Sequence, residues 1–324
     1  MKVVICTLFE SHYHLGVAAL TNSLYKQGYR GEIYAGYKGT LPVWAISSKE
    51  NYQLMKTSCR TLYITDSLQI HFIPLETTYH LTNYKPDFML KICNEVVNDI
   101  SSIFYFDPDI IVSTSWSYFE EWVGYGVALC EDINSPLAEH HPRRMAWRRI
   151  FGNKGILLKF NSNIYVNGGF IGLSNNDLSF LKIWKNIQEI MASEIGGLSR
   201  SSLSGIPLLG NASNPNAPFS KTDQDALNAA VEVWNGNVSF IGKEGMAFHP
   251  GISIMSHALG LPKPWQWKPF LQILAGLPPR LVDKQYWDSV NKPIQTYSSW
   301  MIRLRKLFIL LASFIGRFYR RGGI

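Results

Sequence analysis

Short apolar runs alternate with amphipathic stretches along the first half of the chain. VVICTLF predicts a buried strand, LGVAALTNSLYKQG predicts a helix that ends near Gly28 and Gly31, and EIYAGY predicts a second strand. The alternation continues through TLYIT, QIHFIPL, a helix beginning at Pro86 and the strand SIFYFDPDIIV. Strands that alternate with helices predict an α/β fold with a mostly parallel central sheet and flanking helices.

The second half of the chain has a less regular pattern. A helical stretch rich in Trp and Arg is expected at 116–150, followed by the strand YVNGGFIGL and the helix DLSFLKIWKNIQEIMASEI. The segment 196–220 is rich in Gly, Ser, Pro and Asn, and a loop of this length predicts a mobile lid or binding loop. TDQDALNAAVEVW then predicts another helix, and VSFIG another strand.

The last part of the chain has a different character. WMIRLRKLFILLASFIGRFY is an apolar stretch with basic residues at both ends, too short for the roughly 20 residues that span a bilayer. Its apolar side is predicted to contain Leu304, Leu307, Phe308, Leu311 and Phe314. Such a helix suits an anionic membrane surface. The alternative is a helix docked on the rest of the protein.

These patterns divide the chain into three parts. We predict a catalytic domain at 1–267, with an insertion at about 116–155 and the mobile loop at about 196–220. A connecting segment at 268–299 and a basic amphipathic helix at 300–324 follow.

The composition of the chain excludes some classes of protein. The chain has 324 residues, of which 46% are apolar, so it is able to bury a sizeable core and is not a disordered scaffold. The formal charge of +7 suits anionic partners. Nucleic acid is not expected, because no motif of a nucleic-acid-binding domain is present. The N-terminus has neither a cleavage site nor a long apolar stretch, so we expect a cytoplasmic protein, peripheral on the inner face of the membrane.

Two carboxylates follow the strand SIFYF, where chemistry is expected in a parallel sheet. Asp107 and Asp109 are spaced to reach one divalent cation together, although an Asp-x-Asp triplet is also common in solvated turns. The segment SHALGLPKPW adds an imidazole from His257 and an ammonium group from Lys263, with Gly260 between them. A glycine there allows the backbone to approach a diphosphate closely.

His-x-x-Gly-x-x-Lys-Pro-Trp with an upstream Asp-x-Asp resembles the signature of glycosyltransferase family 8, the family of glycogenin and the lipopolysaccharide galactosyltransferases. The resemblance covers roughly residues 1–267 and implies a GT-A (Rossmann-like) fold. Further segments that resemble the family are Thr7, Leu8, Tyr13 and Gly16 in the first strand and loop, Lys91 in a helix, Asn167-Gly168-Gly169, and Asp223-Gln224.

The resemblance also implies roles for these residues. Asp107, Asp109 and His257 would hold Mn²⁺, or Mg²⁺, on the donor diphosphate. The other nucleotide-sugar contacts would come from Thr7, Leu8, Tyr13, Lys91, Gly260 and Lys263. The implied catalytic residues are Asp223, Gln224 and Asn167. The implied reaction moves a sugar from a nucleotide diphosphate donor, a UDP-sugar, with retention, to a saccharide or lipid-linked acceptor.

The chain departs from the family in several places. Pro108 separates the two aspartates, and Glu10 stands where the base-recognising loop often has asparagine, which weakens the case for uracil. The predicted insertion contains a set of five polar residues. We expect this set either to contact a phosphorylated or lipid-linked acceptor or to form a solvated basic face. Its members are Asp132, His140, His141, Arg143 and Arg144.

Two other function classes compete with a transferase. A sugar-nucleotide pyrophosphorylase needs a glycine-rich basic loop after the first strand, and TLFESHYHLG has neither Lys nor Arg. A catalytically inactive carbohydrate- or partner-binding protein is the remaining alternative. The presence of all three candidate metal ligands favours the enzyme.

Overall fold

A mixed β-sheet lies at the centre of the protein. The computed structural model describes residues 2–54, 59–209 and 217–318. The strands are β1 (Lys2–Glu10), β2 (Gly31–Lys38), β3 (Lys49–Glu50), β4 (Arg60–Thr65), β5 (Leu68–Pro74), β6 (Ile100–Phe106), β7 (Ile110–Val112), β8 (Val127–Cys130), β9 (Phe170–Ser174), β10 (Val238–Ile241) and β11 (Met255–His257).

The helices flank this sheet or follow it in the chain. They are α1 (His14–Lys26), α2 (Lys85–Lys91), α3 (Trp116–Trp122), α4 (Pro142–Gly152), α5 (Phe180–Ile195), α6 (Thr222–Val233), α7 (Pro269–Leu274), α8 (Leu281–Ser289) and α9 (Ser299–Ile315).

Strand order confirms the predicted α/β fold. Within the described ranges, nine strands form one sheet in the order β10-β8-β9-β6-β1-β2-β5-β4-β3. The central strands β6, β1, β2 and β5 run parallel, and antiparallel pairs lie toward the edges. β1 is buried on both faces, and this burial accounts for its unbroken apolar run VVICTLF. A separate antiparallel ribbon pairs β7 with β11.

Helices cover both faces of the sheet. On one face α2, α4, α5 and α6 contribute buried aromatic and aliphatic side chains, among them Phe88, Trp147 and Trp184. On the other face α1 and α3 contribute Val17 and Phe119, among others. This two-sided covering places the carboxyl edge of the sheet between helix ends, where a site is able to form.

The predicted helical stretch at 116–150 is only partly helical. Between α3 and α4 the chain forms β8, which pairs with β9 and β10, so this segment supplies a strand of the central sheet. The run VALC is short and apolar, and such a run does not distinguish a buried strand from a helix.

The basic residues of α4 do not form a solvated face. Arg143 and Arg144 are 7% and 2% exposed, and they pair with Asp225 and Glu232 of α6. His141 accepts a hydrogen bond from the backbone N–H of Arg143 at the start of α4. The predicted solvated basic face is therefore wrong for the two arginines, because their burial beside carboxylates withdraws them from solvent.

The described parts of the predicted mobile loop are tied to the domain. Asn83 donates hydrogen bonds to the carbonyl oxygens of Leu198 (2.9 Å) and Arg200 (2.8 Å). Ser201 is buried, and its hydroxyl lies 3.2 Å from that of Thr82. Residues 210–216 of the predicted loop lie outside the described residues, and its mobility stays a prediction.

The C-terminal helix α9 is docked on one side and exposed on the other. Ile302, Ile309 and Ala312 are buried against α7 and α8. Of the predicted apolar side, Leu307, Leu311 and Phe314 are exposed, whereas Leu304 and Phe308 are half-buried. No helix in the described part of the chain is long and apolar enough to cross a bilayer.

Two adjacent residues of α9 provide a test of this docking. Ile309 is 5% exposed, whereas Leu310 is 68% exposed. Ile309→Ala is expected to lower the free energy of unfolding by about 2–5 kcal/mol, because it removes buried methylenes and leaves a cavity. Leu310→Ala is expected to change it by no more than about 0.5 kcal/mol. Urea denaturation of both variants measures the difference. Equal losses would mean that the helix does not dock through this face.

Candidate active site

A cavity of about 540 Å³ opens at the carboxyl edge of the sheet. It brings together most of the residues that the sequence predicts for the site. Those lining it are Leu8, Tyr13, Asp107, Asp109, Asn167, Asp223, Gln224, His257, Gly260 and Lys263.

Two aspartates and a histidine lie together in this cavity. The β7–β11 ribbon pairs His257 with Ile110, which places the imidazole beside the carboxylate of Asp109. His257 Nε2 lies 3.2 Å from Asp109 Oδ1 and 3.8 Å from Asp107 Oδ2. One potential ligand atom from each residue lies within 4.8 Å of the others. Two hard carboxylate oxygens and one imidazole nitrogen suit Mn²⁺ or Mg²⁺, so the donor set fits a divalent cation.

A glycine in α1 lets the helix approach the Asp-Pro-Asp turn. A Cβ atom at Gly16 would lie 2.2 Å from the carbonyl oxygen of Pro108. No side chain fits in that space. Gly16 therefore sets the position of the turn that carries Asp107 and Asp109.

Positive groups hold Asp109 in its ionised form. Burial alone would raise the pKa of this carboxyl, but His257 and Lys263 hold it well below its usual range. Lys263 Nζ lies 2.5 Å from Asp109 Oδ2 and donates to the carbonyl oxygen of Ala258 at 2.6 Å. Burial and the nearby carboxylates raise the pKa of Tyr13 to about 12, so its hydroxyl remains protonated.

Lys85 is a site residue that the sequence analysis missed. Its ammonium group lies 3.0 Å from Asp107 Oδ1 and 2.9 Å from Asp223 Oδ2. It also donates to the carbonyl oxygen of Gly168 at 2.8 Å. Burial would lower the pKa of Lys85, but the two carboxylates raise it well above its usual range. The side chain therefore stays charged although it is only 2% exposed.

Two of the predicted donor-binding residues do not line the cavity. Thr7 is buried within β1, and Lys91 is the last residue of α2. A helix that precedes a parallel strand runs from the carboxyl edge of the sheet toward the opposite edge. The first residue of α2, Lys85, therefore lies at the site, whereas Lys91 lies away from it. Glu10 lines the cavity.

The C-terminal helices hold the loop that carries Gly260 and Lys263. Arg280, just before α8, donates to the carbonyl oxygens of Leu259 (2.8 Å) and Pro262 (3.0 Å). Gly260 has a φ of +66°, a conformation that favours glycine.

Two further contacts extend this hold along the loop. Trp287 Nε1 donates to the carbonyl oxygen of Pro264 at 3.2 Å, and Arg305 donates to that of Trp267 at 3.0 Å. These two contacts and the two of Arg280 join the loop to α8 and α9.

Comparison with solved structures identifies the fold. The galactosyltransferase LgtC, solved in complex with donor and acceptor sugar analogues, is similar over 93% of this chain and 99% of its own, with a TM-score of 0.50 and 12% identity. The chain has the GT-A glycosyltransferase fold. The bifunctional glycosyltransferase WbbM is matched over 94% of this chain and 52% of its own, with a TM-score of 0.45 and 14% identity. Neither a family profile nor a curated protein gives a significant sequence match.

A buried carboxyl supports the start of α6, where Asp223 and Gln224 lie. Asp225 accepts hydrogen bonds from the Tyr165 hydroxyl (2.7 Å) and from the backbone N–H of Lys221 (2.7 Å). Arg143 Nη1 lies 3.3 Å away. Burial raises the pKa of Asp225 to about 7, although Arg143 and Tyr165 act in the opposite direction.

The raised pKa of Asp225 predicts how stability depends on pH. Between the ordinary value of 3.8 and about 7, the folded state binds a proton that the unfolded state has lost. The free energy of unfolding therefore falls as the pH rises through this window, by at most about 1.4 kcal/mol per unit, and then levels off. The variant Asp225→Asn lacks this pH-dependent contribution to the free energy of unfolding.

Urea denaturation of both proteins from pH 5 to 9 measures the effect. The stability of the parent relative to Asp225→Asn is expected to decrease up to about pH 7. A difference that is constant, or that grows with pH, would contradict the protonation of Asp225 in the folded protein.

Proposed function

We propose that the protein is a metal-dependent glycosyltransferase that moves a sugar from a nucleotide diphosphate donor to a saccharide or lipid-linked acceptor. The observation that carries this proposal is the convergence of Asp107, Asp109, His257 and Lys263 in one cavity at the carboxyl edge of a GT-A sheet. The resemblance to family 8 supports UDP as the nucleotide and retention as the stereochemical course.

The charges of the cavity suit departure of a diphosphate. A bound Mn²⁺ or Mg²⁺ would supply Lewis acidity toward the negative charge that builds on the leaving group. Lys263 lines the same cavity and adds a buried ammonium group to that region. No proton donor is needed at a leaving group stabilised in this way.

The other side of the cavity suits the reacting sugar. Lys85 forms an ion pair with Asp223 at 2.9 Å, and both residues line the cavity. A fixed carboxylate is able to stabilise positive charge that develops at the anomeric carbon. Gly168 has no side chain, and a Cβ atom there would lie 3.0 Å from Asp223 Oδ2. The backbone therefore leaves this carboxylate uncovered.

An inactive carbohydrate- or partner-binding protein remains the second candidate. Under both hypotheses the cavity binds ligand, but only an active transferase is expected to release UDP from a UDP-sugar. A screen of nucleotide sugars with Mn²⁺ for slow hydrolysis separates them, since transferases often transfer sugar to water. Binding of every active-site ligand without any turnover of donor would favour the inactive protein.

The metal centre leads to a prediction for Asp109. Asp109→Asn is expected to weaken Mn²⁺-dependent UDP binding at least about tenfold, because loss of a direct ligand should cost no less than the 10–100-fold typical of outer-shell changes. Isothermal titration calorimetry with and without Mn²⁺ measures the change.

A matched control is Asp99→Asn. Asp99 is exposed and precedes β6 at the opposite edge of the sheet, and its φ of +57° is one that asparagine tolerates. This variant is expected to bind UDP like the parent. Metal-independent UDP binding, or equal affinity of parent and Asp109→Asn, would rule out the metal centre.

An exposed surface on α7 and α9 supports a membrane-bound acceptor. We call it the C-terminal apolar face, and it consists of Phe270, Leu271, Leu274, Leu277, Trp300, Leu307, Leu310, Leu311, Phe314 and Phe318, each at least 45% exposed. The rings of Phe270 and Phe308, 5.1 Å apart, join the two helices. So many neighbouring exposed apolar side chains are typical of an interaction surface.

The charges beside this face suit anionic lipid. Neither 268–281 nor 299–318 contains Asp or Glu, whereas Lys268, Arg303 and Arg317 are exposed. Arg305 and Lys306 are engaged within the protein, with Trp267 and Asp288, and Arg320 and Arg321 lie outside the described residues. We therefore propose that the face lies on an anionic bilayer, the inner face of the cytoplasmic membrane, next to the acceptor.

Leu310→Glu combined with Phe314→Glu tests the C-terminal apolar face. Because it places two charges in the apolar boundary, we expect at least a tenfold loss of binding to anionic liposomes, measured by co-sedimentation. UDP binding should be retained, since both side chains point away from the domain.

The control is Ile46→Glu, which changes an 80% exposed side chain elsewhere on the surface. It should bind liposomes like the parent. A parent protein that does not sediment with anionic liposomes would remove the support for a membrane-bound acceptor.

A further inference from the structure

A chain of buried hydrogen bonds connects Asp132 to the metal-binding histidine. Asp132 Oδ2 accepts a hydrogen bond from Asn167 Nδ2 at 2.7 Å. Asn167 Oδ1 in turn lies 3.0 Å from His257 Nδ1. The other ring nitrogen of His257, Nε2, faces Asp109. Three side chains from separate segments thus form a line that ends at the candidate metal ligand.

The backbone determines the direction of this chain. The N–H of Gly169 donates to Asn167 Oδ1 at 2.9 Å, and a backbone amide can only donate. This contact identifies Oδ1 as the acceptor end of the Asn167 amide. The amide nitrogen then faces two acceptors, Asp132 Oδ2 and, at 3.4 Å, Gln224 Oε1.

The direction of the chain fixes the tautomer of His257. Since Asn167 Oδ1 is an acceptor, Nδ1 of the imidazole must carry hydrogen and donate to it. In the neutral ring, Nε2 then presents a lone pair toward Asp109 Oδ1, 3.2 Å away. A lone pair facing a carboxylate is repulsive unless a cation lies between them: either the Nε2 proton of the charged imidazolium, the form that lowers the pKa of Asp109, or a metal ion in its place. The arrangement therefore prepares Nε2 to bind a metal ion.

The hydrogen-bond chain from Asp132 to His257 is buried and closely packed. Asp132 and Asn167 are each 2% exposed. The second carboxylate oxygen of Asp132 accepts from the backbone N–H (2.9 Å) and the side-chain amide (2.6 Å) of Asn134. At Gly169 a Cβ atom would lie 2.5 Å from the His257 ring, so the glycine permits the contact. Neither Asp132 nor Asn167 is able to turn without breaking buried hydrogen bonds.

We propose that Asp132 and Asn167 are positioning residues that set the tautomer and orientation of His257 for metal binding. This inference rests on the proposed metal centre and goes beyond it, because the resemblance places Asn167 among the catalytic residues, whereas here its Oδ1 and Nδ2 form hydrogen bonds within the protein. Outer-shell partners of this kind orient a ligand and raise its basicity.

Two isosteric variants each disrupt the hydrogen bond between residues 132 and 167. Asp132→Asn keeps one oxygen, which Asn134 occupies, so its NH₂ group opposes that of Asn167. Asn167→Asp places a second carboxylate against Asp132. Each variant is expected to weaken Mn²⁺ binding by about 10–100-fold. Electron paramagnetic resonance of free Mn²⁺, titrated with protein in the presence of UDP, measures this affinity.

The double variant Asp132→Asn/Asn167→Asp exchanges donor and acceptor and restores the chain. The amide at 132 donates to the carboxylate at 167, which still accepts from Gly169 and His257. We expect it to bind Mn²⁺ more tightly than either single variant, although the weak contact with Gln224 is lost. A double variant no better than the singles, or singles that bind like the parent, would overturn the positioning role.

Nitrogen-15 NMR of labelled histidine tests the tautomer directly in protein without metal. The parent is expected to give the Nδ1–H signature for His257, assigned by its loss in His257→Gln. An Nε2–H tautomer in the parent would overturn the inference whatever the metal affinities.

The control variant is Asp177→Asn, which also converts a carboxylate to an amide. Asp177 bonds to Ser174 after β9, outside the cavity lining, and its loss is expected to leave Mn²⁺ affinity within about twofold of the parent. A parent that binds no Mn²⁺ would overturn both this inference and the metal centre. A parent that binds Mn²⁺ but releases no UDP from any donor would refute only the transferase.

Discussion

A buried ammonium group joins the segments that meet at the centre of the site. Lys85 contacts Asp107 after β6, Gly168 before β9 and Asp223 at the start of α6. Without this cation the two carboxylates would repel each other in a place where little water screens them. The relative positions of the turn that carries Asp107 and the start of α6 therefore depend on this interaction.

The fold, and the convergence of the three candidate metal ligands, could be predicted from the sequence. Short apolar runs that alternate with amphipathic helical stretches indicate the strands of a parallel sheet, and a motif of fixed spacing brings its own geometry. The turn after SIFYF and the loop around His257 are local features of this kind. The position of Lys85 at the site could also have been predicted, because the direction of a crossover helix decides which of its ends lies at the carboxyl edge of the sheet.

Other features depend on contacts that no local pattern contains. Arg143 and Arg144 look like solvated residues in the sequence, but their carboxylate partners lie more than 80 residues away on α6. The hydrogen bonding of Asn167 within the protein depends on Asp132, 35 residues upstream. Helix α9 has apolar residues around most of its circumference, so its pattern could not separate the docked side from the exposed one.

The hydrogen bonds from Arg280, Trp287 and Arg305 to the Lys263 loop alter the meaning of the C-terminal helices. The region that we propose to lie on a membrane also supports the loop that carries Gly260 and Lys263. Removal of the exposed apolar surface and preservation of the proposed donor site are thereby placed in opposition. A chain shortened to remove the exposed apolar side chains would lose the contacts that hold the Lys263 loop, so these side chains must be made polar one by one while the helix beneath them is kept.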